Sequence, residues 1–218
     1  LTRGRADFWD RRGGLTWSKH QSYTAIRALL ERSDEQGLRT LFEDSDRAAG
    51  EPRRPSVLPV GYFEIDLGRG RLKQGRLNID TGEIDLEISI GSRKKQIRIL
   101  LDMDRPMLAL RFPSGFRPRS VRPVPAWEFV GDYLSSISFE PPALFERKKV
   151  FGWTQTRPAD PPLCVAARRD AGELRLAAVE ADSQEKALAT ASRMLKRSQK
   201  NGFTVLQGKN RTWWSTYW

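Results

Sequence analysis

Between Val57 and Phe112, apolar and polar residues alternate with a period of two. Phe63, Ile65 and Leu67 flank Glu64 and Asp66, and Leu77 and Ile79 flank Asn78. Ile84, Leu86, Ile88 and Ile90 interleave with Asp85, Glu87 and Ser89. Beyond Gly91-Ser92 come Ile97, Ile99, Leu101 and Met103, and beyond Asp104-Arg-Pro106 come Leu108, Leu110 and Phe112. Side chains point to alternate sides of a strand, so each run presents one apolar and one polar face. The breaks are short and no helix-length pattern intervenes, which excludes parallel crossovers. The pattern predicts an antiparallel meander of five strands.

The flanking segments change period. Tyr23, Ile26, Leu29 and Leu30 give one short helix an apolar face, and Leu38, Leu41 and Phe42 do the same for a second. Ser33 with Gln36 has the spacing of a capping box for that second helix. Residues 44–56 are polar and rich in Pro and Gly, and read as a connection. Residues 113–126 carry four prolines and three arginines and read as a long irregular loop. Strand-like runs follow around Leu134–Phe139, Val150–Thr154, Leu163–Ala167 and Leu174–Val179. Asp182 then opens a helix, with Glu185 completing a capping box and Ala187, Leu188, Ala191, Met194 and Leu195 on its buried face. Asn201-Gly202 is its stop signal. The predicted fold is mainly β: a large antiparallel β-sandwich, with two short N-terminal helices and a C-terminal linker helix. Residues 1–180 form the sandwich and 181–218 the helical linker.

The end of the chain is its most informative stretch. Trp213, Trp214, Tyr217 and Trp218 share one broad stripe if the segment is helical. Such a stripe hides on the order of 600–1,000 Å², more than a monomer ordinarily leaves exposed. It is expected to be an inter-domain packing surface. With an opening residue that is not methionine, it suggests a piece of a larger protein.

Composition narrows the chemistry. Lys and Arg number 38 against 27 acidic residues, a net charge of +11, which raises nucleic acid as a partner. The cations come in scattered groups, however: Arg11-Arg12, Arg53-Arg54, Arg93-Lys94-Lys95, Arg117 to Arg122, Arg147-Lys148-Lys149 and Arg168-Arg169. Most lie beside Gly or Pro at turns, and a solvated surface explains them better than a binding stripe. Cys164 is the only cysteine and sits in an apolar run, so there is no internal disulfide and no thiolate zinc cluster. His20 is the only histidine and has no nucleophile arranged around it. No cofactor or metal motif is present. Gly68-Arg-Gly70 lacks the third glycine of a dinucleotide loop, with Lys at position 73. Asn210-Arg-Thr212 matches a glycosylation sequon, a pattern common by chance. Asp85 and Glu87 read as surface charges, and Asp102 and Asp104 as ion-pair partners of Arg105. No run approaches the roughly 18 apolar residues of a membrane helix.

Asp7, Trp9, Asp10 and Trp17 combine aromatic plates with carboxylates in one N-terminal loop. Sugars want both: a ring for their C–H face and charged acceptors for their hydroxyls. The competing reading has Phe8 and Trp9 plugging a core while Asp7 and Asp10 pair with Arg5, Arg11 or Arg12. Trp127, Trp153 and Gln155 admit the same two readings, with core packing favoured.

Several weak motifs in order resemble a family. Arg5-Ala-Asp-Phe-Trp-Asp-Arg-Arg-Gly-Gly14, Leu58-Pro-Val-Gly-Tyr-Phe-Glu64 and Thr81-Gly-Glu83 are similar to the N-terminal domain of large bacterial glycoside hydrolases built on an α-hairpin barrel. Asp102-Met-Asp-Arg-Pro106, Trp153-Thr-Gln155, Pro161-Pro-Leu-Cys164 and the closing Trp213–Trp218 segment continue the resemblance. The named relatives are the α-L-fucosidase-like enzymes of family ninety-five, and the maltose and kojibiose phosphorylases share the layout. The resemblance implies a β-sandwich that leads through a helical linker into a barrel carrying the catalytic carboxylates. No catalytic residue is assigned within this chain. It further implies that the parent protein is a glycoside hydrolase, that the barrel of the same polypeptide is the partner, and that Asp7, Trp9, Asp10 and Trp17 lie at the substrate rim. Export to the periplasm or beyond is implied by the family alone. Two other readings remain: a freestanding carbohydrate-binding module, and a basic nucleic-acid-binding protein.

Overall fold

The alternating runs do form strands, but they divide between two sheets. The computed structural model describes residues 2–3, 21–42, 58–170 and 172–218. The chain separates into two compact units, Arg5–Pro59 and the remainder, Leu1–Gly4 with Val60–Trp218.

The smaller unit holds two helices, α1 (Tyr23–Glu31) and α2 (Glu35–Phe42). The Ser22 hydroxyl accepts from the Ala25 amide and caps α1. The cap of α2 is Asp34, whose carboxylate accepts from the Gly37 amide at 2.7 Å. The expected Ser33–Gln36 box is therefore displaced by one residue. Ser33 instead turns the chain at a positive φ of 53°. Among the described residues neither helix has a buried side chain within its span.

The larger unit is built on an antiparallel sheet of eight strands in the order β3-β4-β5-β6-β11-β10-β9-β8. Their ranges are β3 (Gly70–Asn78), β4 (Glu83–Ile90), β5 (Arg93–Asp102), β6 (Met107–Arg111), β8 (Ala143–Arg147), β9 (Val150–Gln155), β10 (Leu163–Asp170) and β11 (Glu173–Glu180). A second sheet of three strands has the order β1 (Thr2–Arg3), β2 (Gly61–Asp66), β7 (Ser120–Pro125). The fold is thus a mainly β, two-sheet antiparallel sandwich with a long C-terminal helix, α4 (Gln184–Tyr217). The expected five-strand meander has four members, β3 to β6. The run at Phe63 belongs to the other sheet, because Leu67–Gly70 turns the chain between them.

Three further differences have local causes. Part of the Pro-rich 113–126 segment is strand β7, which tolerates Pro123 and Pro125 because it is an edge of its sheet. The run at Leu134 is helical: α3 (Trp127–Ser136) turns Leu134 inward. Gly131 within it obscured the helical period. The cap of α4 is Ser183 rather than Asp182, its hydroxyl accepting from Lys186 N.

Register sorts the side chains of the large sheet onto two faces. Cys164 pairs with Val179 and Ala166 with Ala177, and these four join Leu100, Met107 and Ala109 in a cluster that Ala187, Ala191, Leu195 and Phe203 of α4 complete. The alanines on both partners let the helix approach the sheet closely. On the opposite face Phe63 of β2 meets Trp153 at 5.4 Å and Phe151 at 6.1 Å between ring centres. The larger unit is therefore layered as small sheet, large sheet and helix. Trp153 is buried, and so is Gln155, whose amide donates to the Glu140 and Thr156 carbonyls. The core reading holds for both.

Candidate functional site

Helix α4 is two helices joined at Gly202, which has φ 75° and ψ 162°. The Asn201-Gly202 stop is therefore present, and a second helical segment follows it. The first segment is anchored by apolar packing and by one buried cation. Arg175, 1% exposed, donates to Glu173 at 2.5 Å and to the Ser198 hydroxyl. Arg111 shares Glu173 and lies 4.3 Å over the Phe203 ring.

The second segment carries the aromatics, and a helix does place them together. Trp213 and Tyr217 stack at 5.1 Å with planes 12° apart, and Trp214 and Trp218 stack at 6.2 Å and 24°. Trp214 is the inner member: a Cβ on Gly82, at the β3–β4 turn, would collide with its indole. Its Nε1–H is buried and has no acceptor among the described residues. Trp218 donates its indole N–H to the Ile79 carbonyl at 3.1 Å, yet the residue is 74% exposed and Tyr217 is 63% exposed. Ile79 and Leu77 beside them are also exposed. An ordered aromatic comb thus faces outward from the sheet edge.

The other chemically distinctive place is a cleft of about 730 Å³ between β7 and the β8–β9 hairpin. A hollow of about 320 Å³ adjoins it, with Lys149 and Arg169 lining both. Three of the scattered cation groups converge here, bringing Arg117, Arg122, Lys148, Lys149 and Arg169 together against Glu146 and Asp170. Arg122 is neutralised: it donates to Glu64 at 2.9 Å and to Glu128 at 2.7 Å. Those hydrogen bonds hold the Glu64 carboxyl below its ordinary value and Arg122 above its own. Lys149 pairs with Asp170, which also binds Arg168. Arg169 lies 5.8 Å over the Phe151 ring. This convergence was invisible in the sequence because it depends on strand order. The only trace was the recurrence of Arg-Lys groups at consecutive strand ends.

The remaining candidates resolve as follows. Asp7, Trp9, Asp10, Trp17 and His20 lie outside the described residues. Trp127 is half-buried beside Gly131. Burial pushes the Cys164 thiol up to about 12, which disqualifies it as a nucleophile. Asp102 accepts from the Asp104 amide at 3.1 Å, so it caps its own turn instead of pairing with Arg105. Asn210 is buried and donates to the Leu101 carbonyl, so the sequon is closed to a glycan. Among the described residues no group of three or more His, Cys, Asp or Glu could hold a metal. No described helix is long and apolar enough to cross a membrane.

No family model matches the chain, and no curated protein does. Among solved structures it is similar to one titled putative kojibiose phosphorylase from human microbiome, at 14% identity and a TM-score of 0.44. The overlap covers 72% of this chain and 25% of that one, so the chain spans about a quarter of that protein. A likeness of that degree identifies neither an activity nor a substrate here.

Proposed function

We propose that this chain is a non-catalytic N-terminal domain of a carbohydrate-active enzyme, a glycoside hydrolase, and that its aromatic helix end docks on the catalytic barrel of the same polypeptide. The observation that carries the reading is the ordered exposure of Tyr217 and Trp218 on a comb whose inner member, Trp214, is fixed against Gly82. Contiguous aromatic surface of this kind marks an interaction site. The family resemblance of the sequence supplies the partner. The Asp7, Trp9, Asp10 and Trp17 loop is assigned to the rim of the sugar cleft. Hydrolysis needs an acid and a base carboxylate flanking the glycosidic bond, and both belong to the barrel in this reading.

The test uses the full polypeptide. Replacing Trp213, Tyr217 and Trp218 by Ser together is expected to lower its Tm and its kcat/KM. In the 218-residue chain alone the same changes leave Tm nearly untouched. An unchanged Tm in the full polypeptide overturns the docking role. An unchanged kcat/KM in Trp9→Ala overturns the rim role and leaves the bracing role standing. The alternative, a freestanding carbohydrate-binding module, is favoured by one feature. Tyr217, exposed and held by stacking on Trp213, presents one ring face on which a sugar could lie.

A further inference from the structure

We propose that the cleft between β7 and the β8–β9 hairpin binds an acidic oligosaccharide, one whose sugar units carry carboxylate or sulfate. The inference rests on the carbohydrate reading above and names the ligand class of a second place in the same domain. Register puts the relevant side chains on one face. Glu146 pairs with Phe151, Leu144 with Trp153, and Phe151 with Ala167, two residues before Arg169. All therefore project from the large sheet on the side away from α4. Phe151 is held edge-on by Phe63, so its ring is a fixed floor. Leu144 is 63% exposed, an apolar wall with nothing covering it. An uncovered apolar wall of this kind suits the C–H face of a sugar ring.

Charge selects among sugars. Arg122 and Lys149 already hold carboxylates. Among the described residues Arg117, Lys148 and Arg169 make no ion pair and remain to meet an anion. Arg169 stands over the floor, and Lys148 sits at the hairpin turn with φ 58°. The volumes of about 730 and 320 Å³ are in the range of small-ligand sites and meet at Lys149 and Arg169, which line both. Glu146 separates this ligand from nucleic acid. It gives sugar hydroxyls a charged acceptor, and a phosphate backbone offers no such donors.

The test is calorimetry on the full chain at low salt with three tetrasaccharides: galacturonate for carboxylate, κ-carrageenan for sulfate, and maltotetraose as the neutral control. At least one acidic tetrasaccharide is expected to bind about ten-fold or more tightly than maltotetraose, and Arg169→Gln and Lys148→Gln each to weaken it about three- to ten-fold. Both positions are exposed, so an unchanged Tm certifies the fold of each variant. Equal affinity for neutral and acidic saccharides overturns the inference and leaves the carbohydrate reading intact. No binding of any tetrasaccharide overturns it too, with the docking experiment still deciding the domain's role. A single-stranded oligonucleotide that outcompetes the saccharides, and loses affinity in the same two variants, overturns both readings.

Discussion

The two segments of α4 are continuous in sequence and opposite in environment. Before Gly202, Ala187, Ala191 and Leu195 are fully buried on the sheet, and the buried Arg175 reaches up to Ser198. After Phe203 and Leu206, apolar burial gives way to an exposed comb ending at Tyr217 and Trp218. The residues run against the usual expectation. Small alanines of this helix fill the core while two of its largest side chains, Tyr217 and Trp218, face outward. Close helix–sheet approach explains the first, since a large residue would push the layers apart. The second has no such account within the domain, and a partner surface explains it. The glycine between them lets one helix serve two surfaces by redirecting the chain at a φ that L-residues avoid.

The largest effect should come from the buried segment. Leu195→Ala removes a fully buried side chain from the sheet–helix cluster and is expected to cost about 2–5 kcal/mol in denaturant unfolding. Trp218→Ala in the same assay should fall within about 0.5 kcal/mol, because an exposed residue has little burial to lose. Similar losses at both positions would dissolve the contrast between the two segments.

Next in size is the junction. Gly202→Ala has open space for its methyl group but must hold φ 75° with ψ 162°, a region that only glycine populates freely, which costs about 1–3 kcal/mol for an L-residue. Gly82→Ala combines a φ of 63° with a collision against the Trp214 indole. It is expected to cost at least as much and to loosen the comb, read as increased quenching of Trp fluorescence by acrylamide. A Gly82→Ala chain with wild-type quenching would mean that the β3–β4 turn does not seat the helix end.

Much of this architecture was legible along the chain, and the illegible parts share a cause. Ile84–Ile90 and Ile97–Leu101 announced themselves because one face of each meets a core and period-two alternation records that. The break at Asn201-Gly202 was legible because only glycine chemistry suits it. Phe63 looked like its neighbours in the meander, yet it pairs with β7, a strand hidden by Pro123 and Pro125. Which sheet a strand joins is decided by contacts some 60 residues away, which local pattern cannot carry. The cleft was illegible for the same reason: Arg122 of β7, Lys148 of the β8–β9 turn and Arg169 of β10 meet only through strand order and the facing of the two sheets. The aromatic comb was the opposite case, since helical spacing alone aligns Trp213 with Tyr217 and Trp214 with Trp218.

The smallest effect tests how tightly the covered half of α4 is held. Cys164 lies fully buried beneath that segment, and burial raises its thiol from an ordinary 9.0 to about 12. A raised thiol keeps its proton in the folded chain. Its contribution to stability is therefore present below pH 9 and lost as pH rises toward 12, where the unfolded thiol ionises first. At pH 8 the native chain should not react with a disulfide reagent, and one thiol should appear on unfolding. The labelling rate under native conditions then reports how often the Ala187–Leu195 segment lifts from the sheet. If that segment is the anchor and the comb the docking end, Leu195→Ala should speed labelling, while the triple Ser variant at Trp213, Tyr217 and Trp218 should leave it unchanged. Equal acceleration by both would mean that the aromatic end clamps the helix onto its own sheet, and the case for an external partner would fall with it.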